Sequence, residues 1–320
     1  MSGPNDGIVD DGYYDYIASN QKQISQVEKV QIVIAIISTL CSASVVFILL
    51  YKRSVLLKDR PFVNIIFMIA LADMLTSAVY SFGYPKEPTW CFLQGFFGVL
   101  FSRASWLYTV GLVIQLSSLV LYRQFACSNK QLICTIAVFN VILQILPFTT
   151  LTGYGGYLGS QICFFAKWKG TYDHLHTWEM ICYFVIQILS FSVIALLTLV
   201  LFIYSKRPGT TPILYEQLEN AWTTIILYPA TMMISWLPNM IYGWYFDSYI
   251  DRTNDYPPSS LIISNSLIVL NSLYGVFLTL IFFCCTKDAS TEYINLFKKL
   301  IPSFLKNDNE NSDDGPYFKM

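Results

Sequence analysis

Apolar residues run along this chain in long blocks separated by short polar stretches. A helix needs roughly 20 mostly apolar residues to cross about 30 Å of hydrocarbon. Seven blocks meet that length: Val30–Tyr51, Pro61–Phe82, Phe92–Tyr122, Gln131–Leu151, Met180–Tyr204, Ala221–Phe246 and Leu261–Cys285. The longest intervening loop is Thr152–Glu179. The pattern predicts an all-α membrane protein, a seven-transmembrane helix bundle over residues 30–285. Beyond it, Tyr293, Leu296, Phe297, Leu300, Ile301 and Phe304 recur at helical spacing with Lys298 and Lys299 between them. That spacing predicts a short amphipathic carboxyl-terminal helix lying on the membrane within 286–305. Residues 306–320 are polar and are expected to be disordered. Residues 1–29 read as an acidic tail without a basic leader before a short apolar core, so the first span is expected to target the chain.

Composition sharpens this reading. Hydrophobic residues make up 54% of the chain and charged ones 13%, where a soluble domain carries about 25% charged residues. Net charge is -1, which leaves no basic surface for nucleic acid. With the amino terminus outside, the inner loops carry Lys52, Arg53, Lys58, Arg60, Arg123, Lys130, Lys206 and Arg207. The outer segments carry fewer basic residues, and this bias follows the positive-inside rule. A multi-pass protein of the plasma membrane with an extracellular amino terminus is expected, in contact with membrane lipid.

The cysteines agree with that orientation. Cys91 opens the third span on the outer side, and Cys163 lies within the long second outer loop. Disulfides persist on the oxidising side, so a Cys91–Cys163 bridge is expected, with Cys182 as the rival partner and two free thiols as the alternative. Cys284 and Cys285 end the seventh span on the inner side, either as palmitoylation sites or as apolar residues at a helix end.

Only Asp73 and Arg103 place charge inside the spans. Counted from the outer ends at 1.5 Å per residue, both lie roughly 15–18 Å deep. Such a charge is costly unless it faces the interior and has a partner. Three readings stay open: an Asp73–Arg103 salt bridge, an Arg103 that meets an anionic ligand, and an Asp73–Asn271 polar cluster whose protonation or ion content changes between states.

Several stretches together carry a family resemblance: Leu71–Gly83 (LADMLTSAVYSFG), Cys91–Phe97 (CFLQGFF), Ala104–Leu116 (ASWLYTVGLVIQL), Tyr228–Asn239 (YPATMMISWLPN) and Asn271–Gly275 (NSLYG). In series they resemble G protein-coupled receptors, most closely the slime-mould cyclic-AMP receptor and cyclic-AMP-receptor-like group. The resemblance implies an extracellular small-molecule ligand, a heterotrimeric G protein as partner, and no enzymatic activity. Arg103, Trp106, Lys167, Lys169, Trp236 and Tyr242 are the candidate ligand contacts. Asp73, Pro229, Pro238, Asn271 and Tyr274 are the candidate switch residues. The third span ends in Leu121-Tyr122-Arg123-Gln124-Phe125 without the acidic-Arg-Tyr motif of rhodopsin-like receptors, and Asn271 is followed by Ser272-Leu273-Tyr274 where those receptors place a proline after the asparagine.

Pro229 and Pro238 break one span twice. Each removes a helical hydrogen bond, either as a static kink or as a pivot by which an outer ligand biases the inner end. The seventh span has no lysine for a retinal Schiff base. A seven-helix transporter is the alternative, although internal repeats typical of transporters are absent. His174 and His176, both in an outer loop, are weak grounds for a metal, so neither metal nor cofactor is expected.

Overall fold

The computed structural model describes residues 11–51, 62–83, 87–122, 126–150, 152–155, 164–167, 180–205, 227–242, 245 and 260–285. Helix α1 is Asp11–Tyr51, α2 Val63–Tyr80, α3 Pro88–Tyr122 and α4 Asn129–Ile145. A 3-10 turn, Leu146–Thr150, leads into a two-stranded hairpin of β1 (Thr152–Gly155) and β2 (Phe164–Lys167). A π-helical turn, Met180–Val185, opens α5 (Ile186–Ser205). Then come α6 over residues 227–242, α7 (Ser260–Ser272) and α8 (Tyr274–Cys285), the last two parts of one rod interrupted at Leu273. Among the described residues, each of the seven predicted spans contains helix. Five of these helices are long and apolar enough to cross a membrane, and Val269–Cys284 is a shorter apolar stretch. The chain is a multi-pass membrane protein.

Helix faces follow the logic of a protein dissolved in lipid, where small and polar residues turn inward because tails are as apolar as leucine. On α1 the buried stripe is Gln31, Ala35, Ser38, Ser42, Val45 and Leu49, alternating steps of four and three. Val33, Ile36, Leu40, Phe47 and Leu50 point outward. The Ser38 hydroxyl accepts from Ser77 Oγ of α2 at 3.1 Å. At Gly275 of α8 the backbones approach so closely that a Cβ would collide with the Ser38 and Ser42 hydroxyls and lie 3.3 Å from the Ser38 carbonyl.

Helix α3 is the central mast, packed by α2, α4, α5 and the hairpin. At its Cys91 end, the Gln94 amide donates to Gly83 O at 2.5 Å and Val79 O at 3.2 Å, closing the end of α2. Gly83 sits at φ 66, a left-handed conformation that glycine adopts without steric cost. Helix α4 begins with a capping box in which Ser128 and Gln131 satisfy each other's backbone N–H groups, as the Ser-x-x-Gln spacing permits.

Three features differ from expectation. The loop that follows α4 contains an antiparallel hairpin, paired Thr152 to Lys167 and Gly155 to Phe164. Helix α1 starts at Asp11, so residues 11–29, read from the sequence as a tail ahead of the first span, continue the first helix. The seventh rod is interrupted without proline: Leu273 N shares its bond between Val269 O and Leu270 O, a tightening of the turn. Cys163, Lys169, and the expected amphipathic helix and tail of 286–320 lie outside the described residues, as do the side chains of Lys167 and Cys285.

Candidate functional site

Midway along α3, Trp106 is fully buried and is boxed by aromatic rings from two other helices. Trp236 of α6 meets it edge-on at 5.1 Å, Tyr183 at 4.9 Å and Phe191 of α5 at 6.4 Å. Edge-to-face contacts of this kind contribute about 0.5–1.5 kcal/mol each beyond area burial. The indole N–H groups of Trp106 and Trp236, the Ser235 hydroxyl and both amide atoms of Gln187 are buried with no hydrogen-bond partner. Gln187 stands four residues after Tyr183 and four before Phe191, which places it on the same α5 face as the two rings that hold Trp106. Unmade buried hydrogen bonds cost about 1–3 kcal/mol each, so this box has donors and an acceptor to offer. Sequence reasoning named Trp106 and Trp236 but missed Gln187. A lone amide in a span carries no motif, and only its place between Tyr183 and Phe191 marks it.

Arg103, one turn along α3, does something else. Its Nε donates to Asn140 Oδ1 at 2.6 Å, Nη2 to Asn140 O at 3.0 Å and Gln144 Oε1 at 2.7 Å, and Nη1 to Cys182 O at 2.9 Å. The two amides donate back into α3, Asn140 Nδ2 to Leu100 O at 2.9 Å and Gln144 Nε2 to Phe96 O at 2.6 Å. Asn140 and Gln144, one turn apart on α4, are two of the three buried residues of that helix. The widened backbone of the π turn offers the Cys182 carbonyl, in keeping with the frequent placement of such turns at functional sites. This corrects one expectation: the geometry directs the guanidinium to α4 and the π turn and not to Asp73. Equal depth suggested the pair; the rotation of Arg103 about α3 turns it the other way.

Asp73 of α2 faces the opposite flank of α3. The Ser105 hydroxyl lies beside both its carboxylate and the Tyr274 phenol, and Thr109 also lies beside Tyr274. Asp73 Oδ2, Ser105 Oγ, Tyr274 Oη and Asn271 Oδ1 are all buried. Tyr228 of α6 lies within electrostatic reach of Tyr274. The structure therefore brings Asp73, Ser105 and Tyr274 into one polar tier, adjacent along α3 to the aromatic tier of Trp106. Helix α6 contributes to both tiers, with Trp236 in one and Tyr228 in the other. Pro229 follows Tyr228 directly and Pro238 follows Trp236 by two residues. The helix runs on through Pro238, which leaves the Ile234 carbonyl without its usual amide donor. Tyr242 sits a turn beyond Pro238, its ring 6.2 Å from that of Tyr245, apart from the Trp106 box.

Cys91 is disulfide-bonded. Cys182, the rival partner, is a free thiol, as are Cys41, Cys127, Cys134 and Cys284. The partner of Cys91 thus lies outside the described residues. Among the described residues no group of His, Cys, Asp and Glu is arranged to hold a metal ion.

No protein-family model matches this chain, and no curated protein matches its sequence. Solved structures do match its fold. The crystal structure of squid rhodopsin superposes with a TM-score of 0.61 over 87% of this chain and 87% of that one, at 12% sequence identity. The chain has the seven-helix fold of that G protein-coupled receptor.

Proposed function

We propose that this chain is a G protein-coupled receptor of the cyclic-AMP-receptor-like group, set in the plasma membrane with its amino terminus outside. It detects an extracellular chemical ligand and activates a heterotrimeric G protein without catalysing chemistry itself. The observation that carries the reading is the buried Trp106–Trp236 contact, which joins the central mast to the proline-broken helix above a second, polar tier. A ligand seated against Trp106, Gln187 and Trp236 displaces the Trp236 ring, with Tyr242 and the lysines Lys167 and Lys169 as further candidate contacts. Helix α6, with its backbone freed at Pro238 and Pro229, then swings at the Tyr228 end, and the Asp73–Ser105–Tyr274 cluster rearranges in proton or ion content. The ligand acts only through its differential affinity for the two arrangements.

Unpartnered indole N–H groups and a free amide favour a ligand that accepts hydrogen bonds over one recognised by charge, because Arg103 is held by α4. On the same reading Cys163, which precedes β2 by one residue, is the partner of Cys91. The hairpin it adjoins packs on α3, and a non-reduced digest that fails to link the two peptides would remove that pairing. Cys284 and Cys285 are the lipidation sites on the inner side. The functional test is nucleotide exchange on a panel of G proteins by the reconstituted full chain, while candidate nucleotides, pterins, lipids and amino-acid derivatives are added. Ligand-gated solute flux with no exchange on any G protein would overturn the receptor reading in favour of a transporter.

A further inference from the structure

At the end of α3 opposite Cys91, Gln115 is fully buried, yet every polar atom of its amide is engaged by the loop that follows the helix. Its Oε1 accepts from Ala126 N at 3.0 Å, and its Nε2 donates to Cys127 O at 2.6 Å, with Cys127 Sγ at 3.5 Å. The helix continues two turns past Gln115 to Tyr122, so the chain doubles back for these bonds. The two residues held are those immediately before Ser128, the N-cap of α4. One turn above the clamp, α4 crosses α3 at close range: a Cβ at Gly111 would stand 2.9 Å from Ile136 Cδ1 and 3.1 Å from Leu132 Cδ2. Around the clamp, Ala126, Ser128, Lys130 and Gln131 are exposed. One buried amide therefore fixes an exposed turn and the height at which α4 begins. A disulfide at the other end of α3 marks that end as the oxidising side, which places this turn inside the cell.

We propose that Gln115 is a positioning residue that holds the 126–128 turn and the start of α4 in the shape a G protein reads on the inner face. This rests on the receptor reading above. A backbone-to-backbone clamp from a single side chain cannot be supplied by an apolar residue of the same length, because both bonds use the amide. When the clamp is absent, the turn samples positions away from α3, so a partner meets the right surface less often. Apparent affinity then falls by the fraction of time the surface is correct, while the rate from the docked complex is preserved.

The test uses the full chain in nanodiscs with Cys284 and Cys285 replaced by serine, comparing the parent with Gln115→Met and Gln115→Glu. The first readout is alkylation of Cys127 by a membrane-impermeant maleimide, located by peptide mapping. Loss of two hydrogen bonds is expected to raise its rate about tenfold in Gln115→Met. Gln115→Glu, which keeps only the Ala126 bond, is expected to fall between. The second readout is G protein nucleotide exchange: the half-saturating G protein concentration rises at least about threefold in Gln115→Met, with the maximal rate unchanged. Unchanged alkylation overturns the clamp, and a fall in maximal rate at unchanged half-saturation overturns the docking role. If the parent turns over no G protein, the receptor reading fails and the docking role with it, and the alkylation readout still decides whether the clamp exists. Should Gln115→Met not fold, Gln115→Glu alone carries both readouts.

Discussion

Trp106 of α3 and Trp236 of α6 meet edge to face with ring centroids 5.1 Å apart, and neither indole N–H has a hydrogen-bond partner. The contact lies between the mast on which α2, α4, α5 and the hairpin pack and the helix with two prolines. It is therefore placed to convert a ligand's position into a change in the tilt of α6.

Gln187 distinguishes a binding role from a structural one. Both of its amide atoms are buried and unpartnered, so replacing it with an apolar side chain of similar size removes a desolvation cost from the resting state. Gln187→Leu is expected to leave the melting temperature unchanged or raised, while ligand-evoked exchange needs about tenfold more ligand, a loss of about 1.4 kcal/mol. A melting temperature lower by several degrees would show that the amide has a packing role instead.

Arg103 has the opposite expectation. Arg103→Gln removes a guanidinium from four acceptors on Asn140, Gln144 and the π turn, leaving buried oxygens unpaired at a cost of about 3 kcal/mol. The variant should melt several degrees lower in detergent, and ligand potency per folded receptor should change less than threefold. Normal melting with lost ligand response would restore Arg103 as a ligand contact.

At Gly275 the α8 backbone leaves no room for a side chain against Ser38 and Ser42. Gly275→Ala is expected to destabilise by about 1–3 kcal/mol through overpacking, visible as reduced surface expression. Ser38→Ala and Ser42→Ala in the same chain should recover part of it by removing the two hydroxyls. Wild-type expression of Gly275→Ala alone would contradict the close approach.

The bundle was legible because apolar length reports on the bilayer directly. Among the described residues each predicted span contains helix, and Gly, Ser and Gln against Val, Ile and Leu already hint at which faces turn inward. Depth was legible too, since Asp73 and Arg103 do lie deep in the fold. Rotation was not. Whether Arg103 points toward Asp73 or toward Asn140 depends on helix–helix angles that no local pattern encodes, and Asn140 and Gln144 look like scattered polar residues until α3 lies beside them. The hairpin at Thr152–Lys167 and the π turn at Met180–Val185 were missed for a related reason. Both are short, and each depends on packing against α3 more than on its own propensity. The interruption at Leu273, without a proline, likewise carries no sequence signal.

The central claim is that a ligand outside changes the Trp106–Trp236 contact and thereby activates a G protein inside. The most direct measurement is nucleotide exchange by the reconstituted full chain across a G protein panel, with and without ligand candidates, in wild type and Trp236→Leu. The account predicts exchange above the receptor-free rate on at least one G protein, raised by a ligand, with the ligand-evoked part reduced about tenfold in Trp236→Leu at equal receptor density. An equal response to ligand in both proteins would contradict the relay through these rings.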